Sequence, residues 1–596
     1  MEPDSIDRVF DYVIPYIHTT DDRNSVSLVC RKWFHFDCLT RKHVTIHLCY
    51  ATSPHRLSRR FPFLKSLTLK GKPGKAIPRA SAFQWVPHDW GGYVSSWIEV
   101  ISNTNSFRCL KSIRFRRMIV TDSDLELLVR MRGKDIRVLD INGFSTDGLL
   151  KVSTNCCNLR TLCLQKSEIV DKDGEWLHEL ASRNTCMESL NFYETGIDKC
   201  DTKDLVLLTK NCSDTLTSLK VTDCDLSDLM DVFRYAVKLE EYGGAPYTTS
   251  TGIVLKIPLK LRSITITYRR NHIPILIDFP QQLTELNLTC VSFNDNDYDG
   301  FLAYKCPSLE VLYAKDTIGD SGLQDLSQSC KKLRRVKIMR GSSEEGVVSQ
   351  LGLIALARGC VKIECLHAYI KDITNEALEC IGSNLKNLYD FRITSVATRQ
   401  MMTDLPLDNG VQALLRGCTK LEKLGIYIHN PVPLTDVGLS SIGIFGKNLR
   451  SLMLGFLMKP NDGLLQLSVG CPKLQKFEVR GFGFNEQAIS MLAWKLSSLR
   501  YMWIQSYRAG YTICETKMDF IESKGNIFGG DGNIRNLIRP NWHMELIRPE
   551  VHVDVDSFQP FSLLAYYSLI GQRMDLPKRV IPLHSPLDDH DSDDDD

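Results

Sequence analysis

No apolar run in this sequence approaches the eighteen or so residues that span a bilayer, so a membrane-crossing helix is not expected. The N-terminus, Met1-Glu2-Pro3-Asp4, lacks the basic-then-apolar layout of a signal peptide, and the chain is expected to be soluble, in the nucleus or cytosol. None of the 20 cysteines forms a Cys-x-x-Cys pair. In a reducing compartment they are expected to be free thiols, and their recurrence at one place in a repeat suits buried small residues better than metal ligands. There is no phosphate-binding glycine motif, no Gly-x-Ser-x-Gly and no His-Glu-x-x-His, and the 14 histidines show no ligand-like spacing. Neither intrinsic catalysis nor a metal is therefore expected. Nor does any Pro/Gly/Ser-rich linker divide the 596 residues, which are too many for one compact core, so an extended repeat architecture is expected. A net charge of +2 argues against a general nucleic-acid binder. That sum conceals seven aspartates within residues 588–596, a composition that predicts a solvated, disordered tail.

What is present is a repeat. A Leu-x-x-Leu-x-Leu pattern recurs, often after Cys-x-x, as in Cys306-Pro-Ser-Leu309, Cys330-Lys-Lys-Leu333, Cys418-Thr-Lys-Leu421 and Cys471-Pro-Lys-Leu474. Its first anchors are Leu309, Leu333, Ile363, Leu388, Leu421, Leu449, Leu474 and Leu499, in steps of 24 to 33 residues, the leucine-rich-repeat period. Upstream the spacing continues less cleanly through Leu64, Leu110, Ile136, Leu159, Met187, Leu216, Leu239, Leu261 and Leu283. Between anchors lie stretches with helical spacing, such as Asp320-Ser-Gly-Leu-Gln-Asp-Leu326 and Asp436-Val-Gly-Leu-Ser-Ser-Ile442. The expected fold is an α/β leucine-rich-repeat solenoid, a horseshoe with parallel strands on its concave face, of about eighteen repeats at roughly 27 residues each.

Strand side chains alternate, so with the anchors pointing inward the residues between them face the concave surface. This selects Arg335 and Lys337, His367 and Tyr369, Asp390 and Arg392, Lys423 and Tyr427, Met453, Lys476 and Arg480, and Tyr501 and Trp503. They could be solvated charges on an exposed sheet. Aromatics beside cations are poor solubilising choices, however, and suit an amphipathic anion or a partner peptide.

Residues 5–45 differ from the rest. Ile6, Val9, Phe10, Val13, Ile14 and Ile17 lie at helical spacing ahead of Ser27-Leu28-Val29-Cys30-Arg31-Lys32-Trp33 and Phe34. This module could simply cap the solenoid. Its second stretch resembles the core of an F-box, and the resemblance implies docking on a Skp1-type adaptor and a cullin ubiquitin ligase through Val9, Val13, Ile14, Leu28, Val29, Cys30 and Trp33. The expected division is an F-box over 1–48, the solenoid over 49–545, a C-terminal cap over 546–584 and the acidic tail over 585–596.

Further stretches, Lys70-Gly71-Lys72-Pro73, Trp90-Gly91-Gly92-Tyr93, Phe115-Arg116-Arg117-Met118, the run Thr403 to Gly410, and Leu564-Ala565-Tyr566-Tyr567-Ser568-Leu569, extend the likeness over essentially the whole chain. Together they resemble the plant hormone receptors of the auxin and jasmonate class, nearest to the coronatine-insensitive jasmonate receptor family. The resemblance implies a hormone, jasmonoyl-isoleucine, that acts as glue for a JAZ repressor peptide. It also implies a nuclear location. Carried over residue by residue, it implies a pocket of Arg79, Ala80, Phe83, Trp85, Lys337, Tyr369, Arg392, Tyr427, Met453, Arg480 and Trp503. Arg79, Lys337 and Arg392 would pair with the hormone carboxylate, Tyr427 and Arg480 would reach its ketone, and Tyr369 and Trp503 would face its amide or the peptide. Arginine suits the carboxylate because its planar fork grips both oxygens.

The chain departs from the family pattern in places. Lysine stands at 337 where the family has arginine, Trp85 and Met453 replace leucines, and about five residues are inserted between Pro73 and Arg79. The resemblance further implies an inositol polyphosphate held by Lys70, Arg116, Arg117, Arg335, Lys423 and Arg500, whose mutual repulsion a polyanion would relieve. An auxin-type receptor and a hormone-independent F-box adaptor are the alternatives. Arg79 stands where the auxin branch has histidine, and the set Arg392, Tyr427 and Arg480 exceeds what a plain protein interface requires.

Overall fold

The computed structural model describes residues 13–17, 19–47, 54–71, 94–103, 105–116, 118, 120–141, 146–165, 174–193, 195, 201–221, 230–244, 258–267, 281–290, 306–315, 318–339, 348–395, 405–428, 433–455, 462–480, 495–496, 498–499, 501–506, 542–547, 561–567 and 580–583. It forms two compact units, one of Met1–Gly74, His88–Pro246 and Ser250–Lys260, the other of Lys75–Pro87, Tyr247–Thr249 and Leu261–Asp596. No described helix is long and apolar enough to cross a membrane.

The first unit opens with the helices Thr20–Val29 and Arg31–Thr40. Thr19 caps the first by accepting from Asp22 N, and the Cys30 thiol caps the second by accepting from Trp33 N. Between them lies a buried ion cluster. The Asp37 carboxylate, wholly enclosed, takes Arg23 Nε at 3.2 Å and Arg41 Nη2 at 2.9 Å, and Arg23 Nη1 also donates to Ile14 O at 2.6 Å. Burying two guanidiniums is tolerable only because the carboxylate and the carbonyl meet them.

Eight parallel strands follow in the first unit: β1 (His43–His47), β2 (Ser66–Lys70), β3 (Ser112–Arg116), β4 (Val138–Asp140), β5 (Thr161–Cys163), β6 (Ser189–Asn191), β7 (Ser218–Lys220) and β8 (Glu241–Gly243), each paired with the next. Ten more form the second unit: β9 (Ser263–Thr267), β10 (Glu285–Cys290), β11 (Val311–Ala314), β12 (Arg335–Ile338), β13 (Cys365–Tyr369), β14 (Asp390–Ser395), β15 (Lys423–Ile428), β16 (Ser451–Gly455), β17 (Lys476–Arg480) and β18 (Tyr501–Ser506). Antiparallel strands β19 (Trp542–Ile547), β20 (Phe561–Tyr567) and β21 (Val580–Leu583) follow β18, with β20 paired to it. Parallel strands separated by helices, with an unclosed sheet, make this a leucine-rich-repeat solenoid preceded by a small helical module.

Every anchor named from the sequence, Leu64 to Leu499, is buried. Two ladders tie one repeat to the next. Buried cysteines donate to carbonyls of the preceding repeat: Cys330 Sγ to Cys306 O at 3.5 Å, Cys360 Sγ to Cys330 O at 3.4 Å, Cys418 Sγ to Leu385 O at 3.4 Å and Cys471 Sγ to Ile442 O at 3.6 Å. Burial pushes the Cys360, Cys418 and Cys471 thiols up to about 12, so they are neutral donors. The 15 described cysteines are all free.

The second ladder runs along helix starts. Asp320 Oδ1 accepts from Gly352 N at 3.1 Å, Asn375 Oδ1 from Gly410 N at 2.6 Å, Asp408 Oδ1 from Thr435 N at 3.0 Å and Asp436 Oδ1 from Gly463 N at 3.0 Å. Each side chain thus satisfies a donor at the open N-terminus of the next helix rather than its own. Glycine is needed at 352 and 438 because a Cβ there would be driven into the carboxylate of Asp320 or Asp408.

Candidate functional site

The helical module presents apolar side chains outward. Leu28 is 85% exposed, and Val13, Val29 and Cys30 are also exposed, while Trp33 is half-covered. Adjacent exposed aliphatic residues are what a docking surface offers. Ile14, also in the expected set, is fully buried: Arg23 Nη1 holds its carbonyl, while Pro15 and Tyr16 of the same turn are exposed. Val9 lies outside the described residues.

In the second unit the register arranges the open sheet face into rows. One row runs Arg335, Cys365, Asp390, Lys423, Ser451, Lys476, Tyr501, and the next runs Lys337, His367, Arg392, Gly425, Met453, Glu478, Trp503. The intervening Val336, Leu366, Phe391, Leu424, Leu452 and Phe477 are core. Alternation therefore places Lys337, Tyr369, Arg392, Tyr427 and Met453 on one face, as expected, and the backbones of Arg480 and Trp503 lie in β17 and β18. Arg79, Ala80, Phe83 and Trp85 lie outside the described residues, as do the tail and the insertion before Arg79.

Exposure on that face differs from the expectation. Tyr427 is 1% exposed, and Tyr369 and Met453 are buried too. Glycines on neighbouring strands let large side chains lie down: a Cβ on Gly425 would meet Met453 Cε at 2.9 Å and Arg392 Cγ at 3.1 Å. Lys337 lies flat as well, its Nζ 5.3 Å from the centroid of the Tyr313 ring on β11.

At the centre stands Asp390, 5% exposed. Arg392 grips it with Nε to Oδ1 at 2.8 Å and Nη2 to Oδ2 at 3.2 Å. His367 Nε2 lies 2.9 Å from Oδ1, and Lys423 Nζ lies 3.7 Å from Oδ2 and 5.6 Å from the Tyr389 ring centroid. Burial alone would raise the Asp390 carboxyl, but the His367 hydrogen bond and the Arg392 charge outweigh it and hold it down to about 2. Burial lowers His367 despite its carboxylate partner, leaving a neutral ring that donates to Asp390.

Among the described residues one histidine, His367, does join a cluster with ligand-like spacing, contrary to the reading of the sequence. Cys365 Sγ, His367 Nε2 and an Asp390 oxygen lie within 4.8 Å of one another. It was invisible in the sequence because β13 and β14 bring together residues 23 or more positions apart. Sγ and the carboxylate both approach the same ring nitrogen, at 3.5 Å and 2.9 Å, so the imidazole cannot relay a proton between them as a nucleophilic triad requires. Burial, with Asp390 adding to it, pushes the Cys365 thiol up to about 11.

Of the residues expected to hold a polyanion, Lys70 and Arg116 stand opposite each other on β2 and β3, and Arg335 and Lys423 lie in one row of the second unit. Arg117 and Arg500 lie outside the described residues. The repulsion expected of this set is smaller than the sequence suggested, since Arg116 Nε is 3.6 Å from Asp140 and Lys423 faces Asp390.

Comparison with known proteins accords with both parts. Residues 3–43 match the F-box family, and residues 62–115 match the Transport inhibitor response 1 protein domain. The chain is 44% identical to Coronatine-insensitive protein 1 of Arabidopsis thaliana over 605 residues, covering 98% of each. It is 42% identical to Coronatine-insensitive protein homolog 1a of Oryza sativa subsp. japonica, covering 97% of this chain and 96% of the relative, and 39% identical to homolog 2 of the same subspecies, covering 96% and 95%. With such identity over nearly its whole length, the chain belongs to the coronatine-insensitive family of F-box proteins.

Proposed function

We propose that this chain is the substrate-receptor subunit of an SCF-type cullin ubiquitin ligase and acts as a jasmonate co-receptor, with jasmonoyl-isoleucine as the glue for a JAZ-type degron. The observation that carries this reading is the open-face row of Lys337, Arg392 and Met453 beside Tyr369 and Tyr427, in a chain related along its full length to the coronatine-insensitive proteins. Two cations beside buried aromatic and thioether side chains match a ligand with a carboxylate at one end and an apolar body. Arg392 and Lys337 would take the carboxylate, and Tyr427 with Arg480 the ketone. Tyr369, with Trp503 and the segment of Arg79, Ala80, Phe83 and Trp85, would complete the pocket.

The exposed Leu28, Val29 and Val13 would seat the Skp1-type adaptor, through which the cullin is reached. Ubiquitin transfer itself would fall to the partner subunits, this chain supplying proximity and orientation. Arg335 and Lys423, and in the first unit Lys70 and Arg116, are the candidates to hold inositol polyphosphate. The nucleus is the proposed location, and the boundaries 1–48, 49–545, 546–584 and 585–596 are the proposed division.

The test is capture of a JAZ-type degron peptide by the purified chain with its Skp1-type partner, with jasmonoyl-isoleucine, with auxin and with neither. Capture only with the jasmonate supports the reading. Capture with auxin, or without hormone, replaces it with an auxin-type receptor or a hormone-independent adaptor.

A further inference from the structure

We propose that Asp390 is a resident counter-anion: it occupies the Nε–Nη2 edge of Arg392 in the unliganded protein, and an incoming carboxylate must compete with it for the guanidinium. The inference deepens the proposed hormone site and rests on that reading for the identity of the ligand. Its core, the competition for Arg392, is a property of the strand itself.

The geometry is that of a ligand grip already filled. Both donors on one edge of the Arg392 guanidinium, Nε and Nη2, go to the two oxygens of Asp390, the fork-to-fork arrangement by which arginine takes up a free carboxylate. The two residues stand two apart on β14, so their side chains share a face and the pairing needs no movement of the backbone. Arg392 also has little room. Its stem lies over Gly425 with Met453 beyond, and Asp390 leaves only Nη1 and the outer N–H of Nη2 to a newcomer.

The charges around Asp390 explain why a carboxylate is kept there. Lys423 on β15 faces it directly, Lys337 stands on β12 in the row of His367 and Arg392, and His367 contributes a neutral ring. Without Asp390 three cations would share a largely covered patch with no anion among them, a costly arrangement in a medium of low effective dielectric. Asp390 removes that cost in the free protein. It thereby also removes most of the electrostatic gain that an anionic ligand would otherwise realise on arrival, so affinity is set by an exchange of one carboxylate for another.

The exchange makes an unusual prediction, that deleting a buried charge improves binding. Asp390→Asn keeps the side-chain volume and one acceptor oxygen but removes the competing charge. Jasmonoyl-isoleucine should then support half-maximal degron capture at a concentration roughly tenfold lower, the order of one charge-assisted hydrogen bond. Its methyl ester, which has no carboxylate to exchange, should gain nothing. Asp390→Glu restores the charge and should lie near wild type. Equal or weaker capture of the acid by Asp390→Asn would overturn the proposal.

A second readout is independent of any hormone. Phenylglyoxal labelling of the full chain with its Skp1-type partner, quantified on the peptide carrying Arg392, should be about tenfold faster in Asp390→Asn than in wild type, the same order of one lost pair. It should return towards the wild-type rate in Asp390→Glu. An unchanged rate in Asp390→Asn overturns the proposal. Should that variant fail to fold, the wild-type protein still decides: Arg392 must label more slowly than the exposed Arg335 two strands away, and equal rates sink the idea. If wild type captures no degron with any hormone, the proposed function falls, while the labelling result still judges the pairing.

Discussion

The ring of Tyr427 lies over Gly455 at the end of the neighbouring strand, so close that a Cβ on Gly455 would stand 2.5 Å from its Cδ2 atom. A side chain that the sequence places on an open sheet face is thereby buried by a residue on another strand that has none.

Gly455→Ala tests this contact. The glycine does not need a left-handed backbone, so the effect is steric. The methyl group should push the ring aside at a cost of about 1–3 kcal/mol, as overpacking does, visible as a lower unfolding midpoint. Hormone-dependent degron capture should fall with the helix and sheet content intact. Unaltered capture would show that the ring position is irrelevant to binding.

In the N-terminal module two substitutions should separate folding from docking. Asp37→Ala strands Arg23 and Arg41 in the interior and should cost about 3–5 kcal/mol. Leu28→Asp alters an exposed residue, so it should leave the melting curve alone while abolishing retention of the Skp1-type partner in gel filtration. Retained partner in Leu28→Asp would move the docking face elsewhere.

Stability should carry an acid limb traceable to Asp390. Its folded carboxyl titrates at about 2, below the ordinary 3.8, so the folded state favours the ionised form. The contribution, on the order of 2 kcal/mol, is full above about pH 5, shrinks as the unfolded chain begins to protonate, and is gone once pH has fallen through the folded value. Urea midpoints of wild type and Asp390→Asn should therefore converge on going from pH 6 to pH 3. A gap that does not change with pH would show that the carboxylate's charge is not what stabilises it.

The helix-start ladder can be cut at one rung. Asp436→Ala removes the acceptor for Gly463 N and should cost about 1 kcal/mol, the usual worth of an N-terminal cap. Amide exchange at Gly463 should accelerate in step. An unprotected amide in wild type would contradict the bond.

The repeat, its inward anchors and the identity of the open face were all readable from the chain, because each depends on spacing along it. Leu309 to Leu499 recur at the period of one strand and one helix, and alternation alone puts Arg392 and Tyr427 on the same side. Burial on that face was not readable. It depends on which residue lies one strand over, as Gly425 does for Arg392 and Met453 and Gly455 does for Tyr427, and that neighbour is 28 to 33 positions away in a repeat of varying length. The same limit hid the meeting of Cys365, His367 and Asp390. The burial of Ile14 was hidden for another reason: helical spacing identifies an apolar stripe but not which of its members a short turn folds inward.

The rungs of the helix-start ladder span different lengths of chain. Asp320 reaches a partner 32 residues on and Asn375 one 35 residues on, whereas Asp408 and Asp436 reach only 27, yet the bonds formed are alike. The added residues fall in the chain between a strand and the helix after it. Length can therefore change there while the strands and helices on either side keep their register.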